Sequence, residues 1–268
     1  MPLPRRPLLA AIPAALTAPL AAAPARATPE VAAALAPSGT LRVAINYGNP
    51  VLAQRDPAGG PPRGVSPMLA AEIARRLNLP LVHVPFDAAG RVTDALRENA
   101  WDLCFLAIDP QRAQGILFTA PYVVIEGAYL VPADSPLRAN EEVDRPGIRV
   151  AVGRGSAYDL YLTRTLRHAE IRRAPTSPAS LELFRAERLE VAANVRQPLL
   201  AYARANPDTR VLPGRFMAIE QAVGIPQGRE AALPWLRAFV EEMKASGFVA
   251  RALAETGQAD ATVAPPAG

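Results

Sequence analysis

Cysteine is nearly absent from this chain, and Cys104, the single copy, lies far from either end. That excludes an intramolecular disulfide, a Cys-x-x-Cys motif and a lipidated cysteine at a processed N-terminus. Histidine is almost as scarce. His83 and His168 form no His-Glu-x-x-His pair, and no Gly-x-Ser-x-Gly elbow occurs, so hydrolase and metal-site readings lack their residues. Lysine is reduced to Lys244, which, with the abundance of alanine and proline, reads as genomic base composition and not as a basic surface built for a partner. Beyond the first residues no apolar run reaches the ~20 residues that span a bilayer. The formal charge of +4 falls to 4 − 3 = +1 if residues 1–27 are removed, because Arg5, Arg6 and Arg26 go and no acid does. A nucleic-acid partner is therefore not expected.

What is present begins with an address. Arg5 and Arg6 precede an apolar stretch from Leu8 to Ala23, and Ala25-Arg26-Ala27 supplies a small-residue cleavage site. Pro13, Pro19 and Pro24 interrupt the stretch, which argues against a retained anchor. Residues 1–27 are expected to be a cleaved signal peptide, with general secretion fitting better than twin-arginine export. A freely soluble periplasmic product starting at Thr28 is the expectation.

The remaining ~240 residues suffice for one large or two modest domains. Short apolar strands alternate with amphipathic helices, an α/β signature. Leu41–Ile45 reads as a buried strand. Ser66 is expected to cap a helix with Pro67 in its first turn, Leu69, Ile73 and Leu77 on the buried face and Glu72 paired with Arg76. Leu81–Pro85, a helix over Arg91–Asn99 and a strand over Asp102–Ile108 follow. Two successive β-α-β units imply a parallel sheet whose ligands gather at the carboxyl ends of its strands. Pro132 and Pro136 break the pattern before a second module opens with strand Ile148–Val152, a Gly153-Arg154-Gly155 turn, and Ser156 capping a helix with Asp159 as the capping-box acid. Further elements are a strand over Leu189–Val195, a helix over Pro198–Asn206, an extended segment Ala218–Pro226, and helices Leu233–Ser246 and Phe248–Glu255. Residues past Gln258 are expected to fray.

This order of pieces resembles the family 3 periplasmic solute-binding proteins over about residues 39–258. The matching elements are Leu41-Arg42-Val43-Ala44, Gly64-Val65-Ser66, Leu96 with Trp101-Asp102, Pro110-Gln111-Arg112 before Phe118-Thr119-Ala120-Pro121-Tyr122, Gly153 to Ser156, and Gly247-Phe248. The resemblance implies two Rossmann-like α/β lobes joined by two crossover strands, the type II periplasmic binding protein fold. The crossovers fall near residues 127–133 and 219–227. Lobe 1 would comprise 39–130 with 224–258, lobe 2 would comprise 131–223, and 259–268 would be a flexible tail. The implied function is capture of a small carboxylate-bearing solute by lobe closure for an ABC permease of the inner membrane, by a monomer without cofactor or metal. Two alternatives stay open: a lyase of the cyclohexadienyl dehydratase type on the same scaffold, and a receptor or accessory protein for a sensor or an oxidoreductase.

By the same resemblance Arg112 occupies the place of the carboxylate-binding arginine, whose fork suits both oxygens. Ser156, at a helix start, and Tyr158 are expected at the cleft. Several positions depart from the family's pattern. Asn46, followed by Tyr47, stands where relatives often carry an acid; Ala107, beside Ile108, replaces a hydroxyl residue; Val195, beside Asn194, replaces the acid that holds a ligand's ammonium group. An aromatic that would stack on the ligand falls near Ala89, which leaves Phe86 as the nearest replacement. With two acid partners missing, an ordinary zwitterionic amino acid is disfavoured. Asp102 and Asp109 could in principle supply the missing charge, but Asp102 precedes the third strand and Asp109 is expected to cap its turn before Pro110; Glu126 and Glu220 remain candidate acids near the crossovers, and no catalytic residue is assigned.

Overall fold

The computed structural model describes residues 27–268, so the expected signal segment lies outside the described residues apart from Ala27. Ten strands form a single sheet. In chain order the elements are α1 (Pro29–Leu35), β1 (Leu41–Asn46), α2 (Val65–Leu77), β2 (Leu81–Phe86), α3 (Ala89–Asp94), β3 (Leu103–Ala107) and β4 (Ile116–Pro132). There follow β5 (Arg149–Gly153), α4 (Ala157–Thr165), β6 (Glu170–Ala174), α5 (Ser177–Ala186), β7 (Val191–Val195), α6 (Arg196–Ala205), β8 (Thr209–Val211) and β9 (Met217–Pro226). The chain ends with α7 (Leu233–Ala245), α8 (Phe248–Glu255) and β10 (Thr262–Val263).

The sheet order β2-β1-β3-β9-β4-β7-β5-β6 contains two parallel triplets related in topology, β2-β1-β3 and β6-β5-β7. Between them run β4 and β9, antiparallel to each other and to their neighbours. β4 is 17 residues long because it serves both halves: Ile116 to Gly127 pairs with β9, and Gly127 to Leu130 pairs with β7. The mixed α/β fold with two lobes and two crossover strands is thus present. Central strands β3 and β7 are buried along their whole length, as strands covered on both faces must be, whereas edge strand β2 leaves Val82 48% exposed.

Three local expectations need correction. Ser66 does not cap α2: the N-cap is Gly64, at φ +128°, where a Cβ would lie 2.2 Å from the Leu52 carbonyl. That carbonyl accepts the Ser66 N–H at 3.1 Å, so the side chain is released to bond Tyr122 Oη at 2.9 Å. The helix expected over 91–99 starts at Ala89 and tightens into a 3₁₀ turn over Ala95–Glu98, ending at left-handed Asn99. The end past Gln258 does not simply fray: Thr262 and Val263 pair with Val124 and Val123 of β4, and Ala261 and Ala264 are buried. An unpaired edge of β4 supplies the hydrogen bonds that hold it.

Asp102 is fully buried and joins three parts of the first lobe. It accepts hydrogen bonds from the Arg42 backbone (3.0 Å), from Arg42 Nε (2.9 Å) and Nη2 (2.8 Å), and pairs with Arg229 at 2.9 Å. Arg76 works likewise, bridging Glu72 on its own helix and Glu242 on α7, each at 2.7 Å. These arginines fasten the returning C-terminal segment to the lobe where the chain began. Burial alone raises the Asp102 carboxyl, but the hydrogen bonds from Arg42 and Arg229 outweigh it and hold the group below its ordinary range. Asp102→Asn is expected to lower the unfolding free energy by about 3 kcal/mol at neutral pH. Because a depressed carboxyl stabilises above its unfolded pKa and loses that contribution as it protonates, the deficit shrinks as the pH falls below about 4. Urea titrations of both proteins at several pH values check this.

Candidate functional site

The carboxyl ends of β1 and β3 face the amino ends of α4 and α5, and β9 passes beneath them. The first lobe lines the enclosed cavity with Asn46, Gly48 and Asn49 after β1, Ala89 at the start of α3, and Leu106, Ala107 and Arg112 at and after β3. From the other side come Ser156, Ala157, Tyr158, Ser177 and Val195, with Ile219 and Gln221 from β9. The whole hollow, mouth included, is about 380 Å³. The lobes touch beside it, through Arg112 Nη2 on the Gly155 carbonyl and through the Asp109–Arg164 pair.

Arg112 opens a short 3₁₀ turn beyond β3 and is 4% exposed. Its Nη1 donates to the Ala107 carbonyl of its own lobe, its Nη2 donates to the Gly155 carbonyl across the cleft, both at 2.9 Å, and its Nε is buried without a partner. No described carboxylate pairs with it. Asp109, three residues away, accepts from the Gln111 N–H at 2.9 Å and from Arg164 at 2.7 Å. The guanidinium is thus a buried cation held by neutral carbonyls. Burial pushes its pKa down to about 10, with Asp109 opposing, which leaves it charged at neutral pH. A charge removed from water without a counter-ion costs several kcal/mol, so the cavity calls for an anion. Nε–H and the remaining Nη hydrogens are the donors that can take one.

The second lobe adds positive potential without charge. Ser156 Oγ caps α4 by accepting the Asp159 N–H at 3.0 Å, as its sequence pattern indicates, while Asp159 reaches back to the Gly155 N–H at 2.8 Å. Tyr158 donates to Ser177 Oγ at 2.6 Å, and burial pushes the Tyr158 hydroxyl up to about 12. Ser177 begins α5, behind the cap Thr176. Gly153 permits this approach, because a Cβ there would lie 2.8 Å from the Ser177 nitrogen. Two helix amino ends therefore point at the region that Arg112 faces.

Of the residues expected at the site, Asn46, Ala107, Arg112, Ser156 and Tyr158 line one cavity. Four others do not. Tyr47 turns to a neighbouring surface hollow, where the Arg55 guanidinium lies 4.1 Å from its ring centre. Phe86 packs with the cluster around Trp101 and Val92, where its ring is covered by apolar side chains. Ile108 is 38% exposed, tied by its N–H to the Glu220 carbonyl. Asn194 is buried beneath the cavity, donating to the Ser177 carbonyl at 3.2 Å and accepting the Val195 N–H at 2.8 Å, so it positions α5. Sequence reasoning missed Asn49, Ser177 and Gln221. The alternation in β9, with Ile219 and Gln221 buried between exposed Ala218 and Glu220, carries a signal for the last of these.

The acids are accounted for individually. Glu126 pairs with Arg196 and Arg215, Glu220 lies on the exposed face of β9, and buried Asp159 pairs with Arg173 at 2.9 Å. No carboxylate lines the cavity, and no group of three metal-ligating side chains occurs among the described residues. The lobes meet directly at Asp109–Arg164 and at Gly90 and Gly155, where a Cβ on Gly155 would fall 2.7 Å from Gly90 Cα.

A family model for the bacterial extracellular solute-binding proteins, family 3, matches residues 41–256. A search of curated proteins finds no match. Among solved structures, the chain is similar to a mutant of ArgBP from T. maritima, at TM-score 0.72 and 20% identity, covering 85% of this chain and 99% of that one. It is similar to the solute receptor for L-cysteine of Neisseria gonorrhoeae, at TM-score 0.72 and 22% identity, over 84% and 92% of the two chains. It also resembles an ancestral amino acid-binding protein described as a precursor of cyclohexadienyl dehydratase, at TM-score 0.68 and 22% identity, over 82% and 96%. Likeness at this identity establishes a shared fold.

The glycine contact generates a test of closure. Gly155 has φ +68° as well as no room for a Cβ, so Gly155→Ala is expected to hold the lobes apart. Small-angle scattering should then give the variant a larger radius of gyration than the parent protein, and equal radii would show that the contact does not limit closure.

Proposed function

The chain belongs to the bacterial extracellular solute-binding proteins, family 3, and on that footing we propose that it captures a small carboxylate-bearing solute by closing its two lobes over it. The observation that carries this reading is the buried, unneutralised Arg112 guanidinium facing a cavity at two helix amino ends. A carboxylate placed there neutralises the cation and touches both lobes, so it binds the closed form more strongly than the open one. In this reading the solute is not an ordinary α-amino acid. An ammonium group in the cavity would meet Val195 and neutral side chains and no acid. The protein works in the periplasm as a monomer, exported on residues 1–27, and its closed form delivers the solute to an ABC permease.

Capture without turnover is favoured over elimination chemistry. General acid catalysis needs a titratable group near the operating pH within reach of the substrate. The cavity lining offers Tyr158, whose hydroxyl is displaced upward to about 12, and no carboxyl, imidazole, thiol or amine.

A thermal-shift panel of small carboxylates tests the proposal. A ligand at 100 times its Kd adds about 2.7 kcal/mol, which for a chain of this size raises Tm by about 5–10 °C. Arg112→Ala is expected to weaken the responding carboxylate about 100-fold or more, measured by calorimetry. Unchanged affinity in that variant removes Arg112 from the site, and product analysis of the same mixtures exposes any turnover.

A further inference from the structure

Gln221 enters this cavity from β9. It is 5% exposed, and its carboxamide has no hydrogen-bond partner among the described residues. The β3–β9 register pairs it with Ala107, whose carbonyl holds Arg112 Nη1, so the amide and the cation line the same cavity. A carboxamide that opens onto the cavity without a protein partner is available to a ligand. Asn46 and Asn49, also in the lining, each use their Oδ1 locally, accepting from Gly48 N at 3.0 Å and Val51 N at 3.3 Å, which leaves both amide nitrogens as donors.

The charge and donor balance then narrow the ligand. Arg112 is the only charged side chain in the lining, so a monoanion neutralises it, a dicarboxylate leaves one charge over, and a zwitterion leaves its ammonium unpaired. Most of the uncommitted groups are donors, which favours a ligand rich in acceptors. Space is limited as well. Ala89 and Gly90 take up little room, and the lobes use the gain to approach until Gly90 meets Gly155.

We infer that the cavity takes a small 2-hydroxy- or 2-oxo-monocarboxylate, its carboxylate on Arg112 and its C2 oxygen read by Gln221, which is therefore the specificity-determining residue. This rests on the reading of the cavity as a carboxylate site.

The test is calorimetry on the mature chain with glycolate, lactate, pyruvate, propionate, L-alanine and succinate. Lactate or pyruvate is expected to bind about tenfold or more tightly than propionate, which lacks the C2 oxygen, and than L-alanine. Gln221→Leu should reduce the lactate-to-propionate ratio to near one while propionate changes little. Gln221→Glu, which places an acid beside Arg112, should weaken all the monoanions and gain L-alanine. Arg112-dependent binding of L-alanine or succinate at least as tight as lactate overturns this inference and leaves carboxylate capture standing. Equal loss of lactate and propionate in Gln221→Leu also overturns it, since a purely structural role would do that. If none of the six binds, both readings fall.

Discussion

One unneutralised charge organises the centre of this molecule. Arg112 is withdrawn from water, grips a carbonyl in each lobe, and finds no acid. A buried cation of this kind is tolerable only while something nearby carries negative potential. Here the Ala107 and Gly155 carbonyls do so in part. The helix starts at Ser156 and Ser177 supply further donors, so the same region that is short of negative charge is well provided to bind an anion. The cavity thus combines a buried cation with helix-end donors and lacks an acid to balance them.

Small residues set the distance at which that deficit operates. Gly153 lets the end of β5 rest against the first residue of α5, Gly155 touches Gly90 across the cleft, and Ala89 occupies the place where an aromatic ring was expected. Each missing side chain brings backbone dipoles closer to Arg112. The cost is volume, since closer lobes leave a smaller hollow between them.

Several acids elsewhere are paired with arginines, and none of those acids reaches Arg112. Asp102 binds Arg42 and Arg229, Asp109 binds Arg164, Asp159 binds Arg173, and Glu126 binds Arg196. In four of these five pairs the acid is buried beside a more exposed arginine, so the carboxylates are satisfied where they stand and are not available to a ligand. Asp109–Arg164 has a second effect: it joins the lobes near the cavity, adding a direct contact that does not depend on any solute.

The elements were legible because local patterning produces them. The Leu69, Ile73 and Leu77 stripe, the Ser156 cap and the continuous apolar runs of β3 and β7 depend on neighbours in the chain, and a helix or strand period expresses them directly. The absence of an acid at Val195 was legible too, since no packing can create a carboxylate the chain lacks. What the sequence could not reveal was which way each polar group turns. Asn194 and Val195 are adjacent, yet pleating sends the valine to the cavity and the asparagine to the Ser177 carbonyl. Ser66 reads as a cap until Leu52 closes over Gly64. Phe86 reads as a ligand platform until Trp101 claims it. Gln221 acquires meaning only through its register with Ala107, 114 positions away. Residue types and local periods determined the fold and the sign of the site; long-range pairing, which no local window contains, decided which side chains face it.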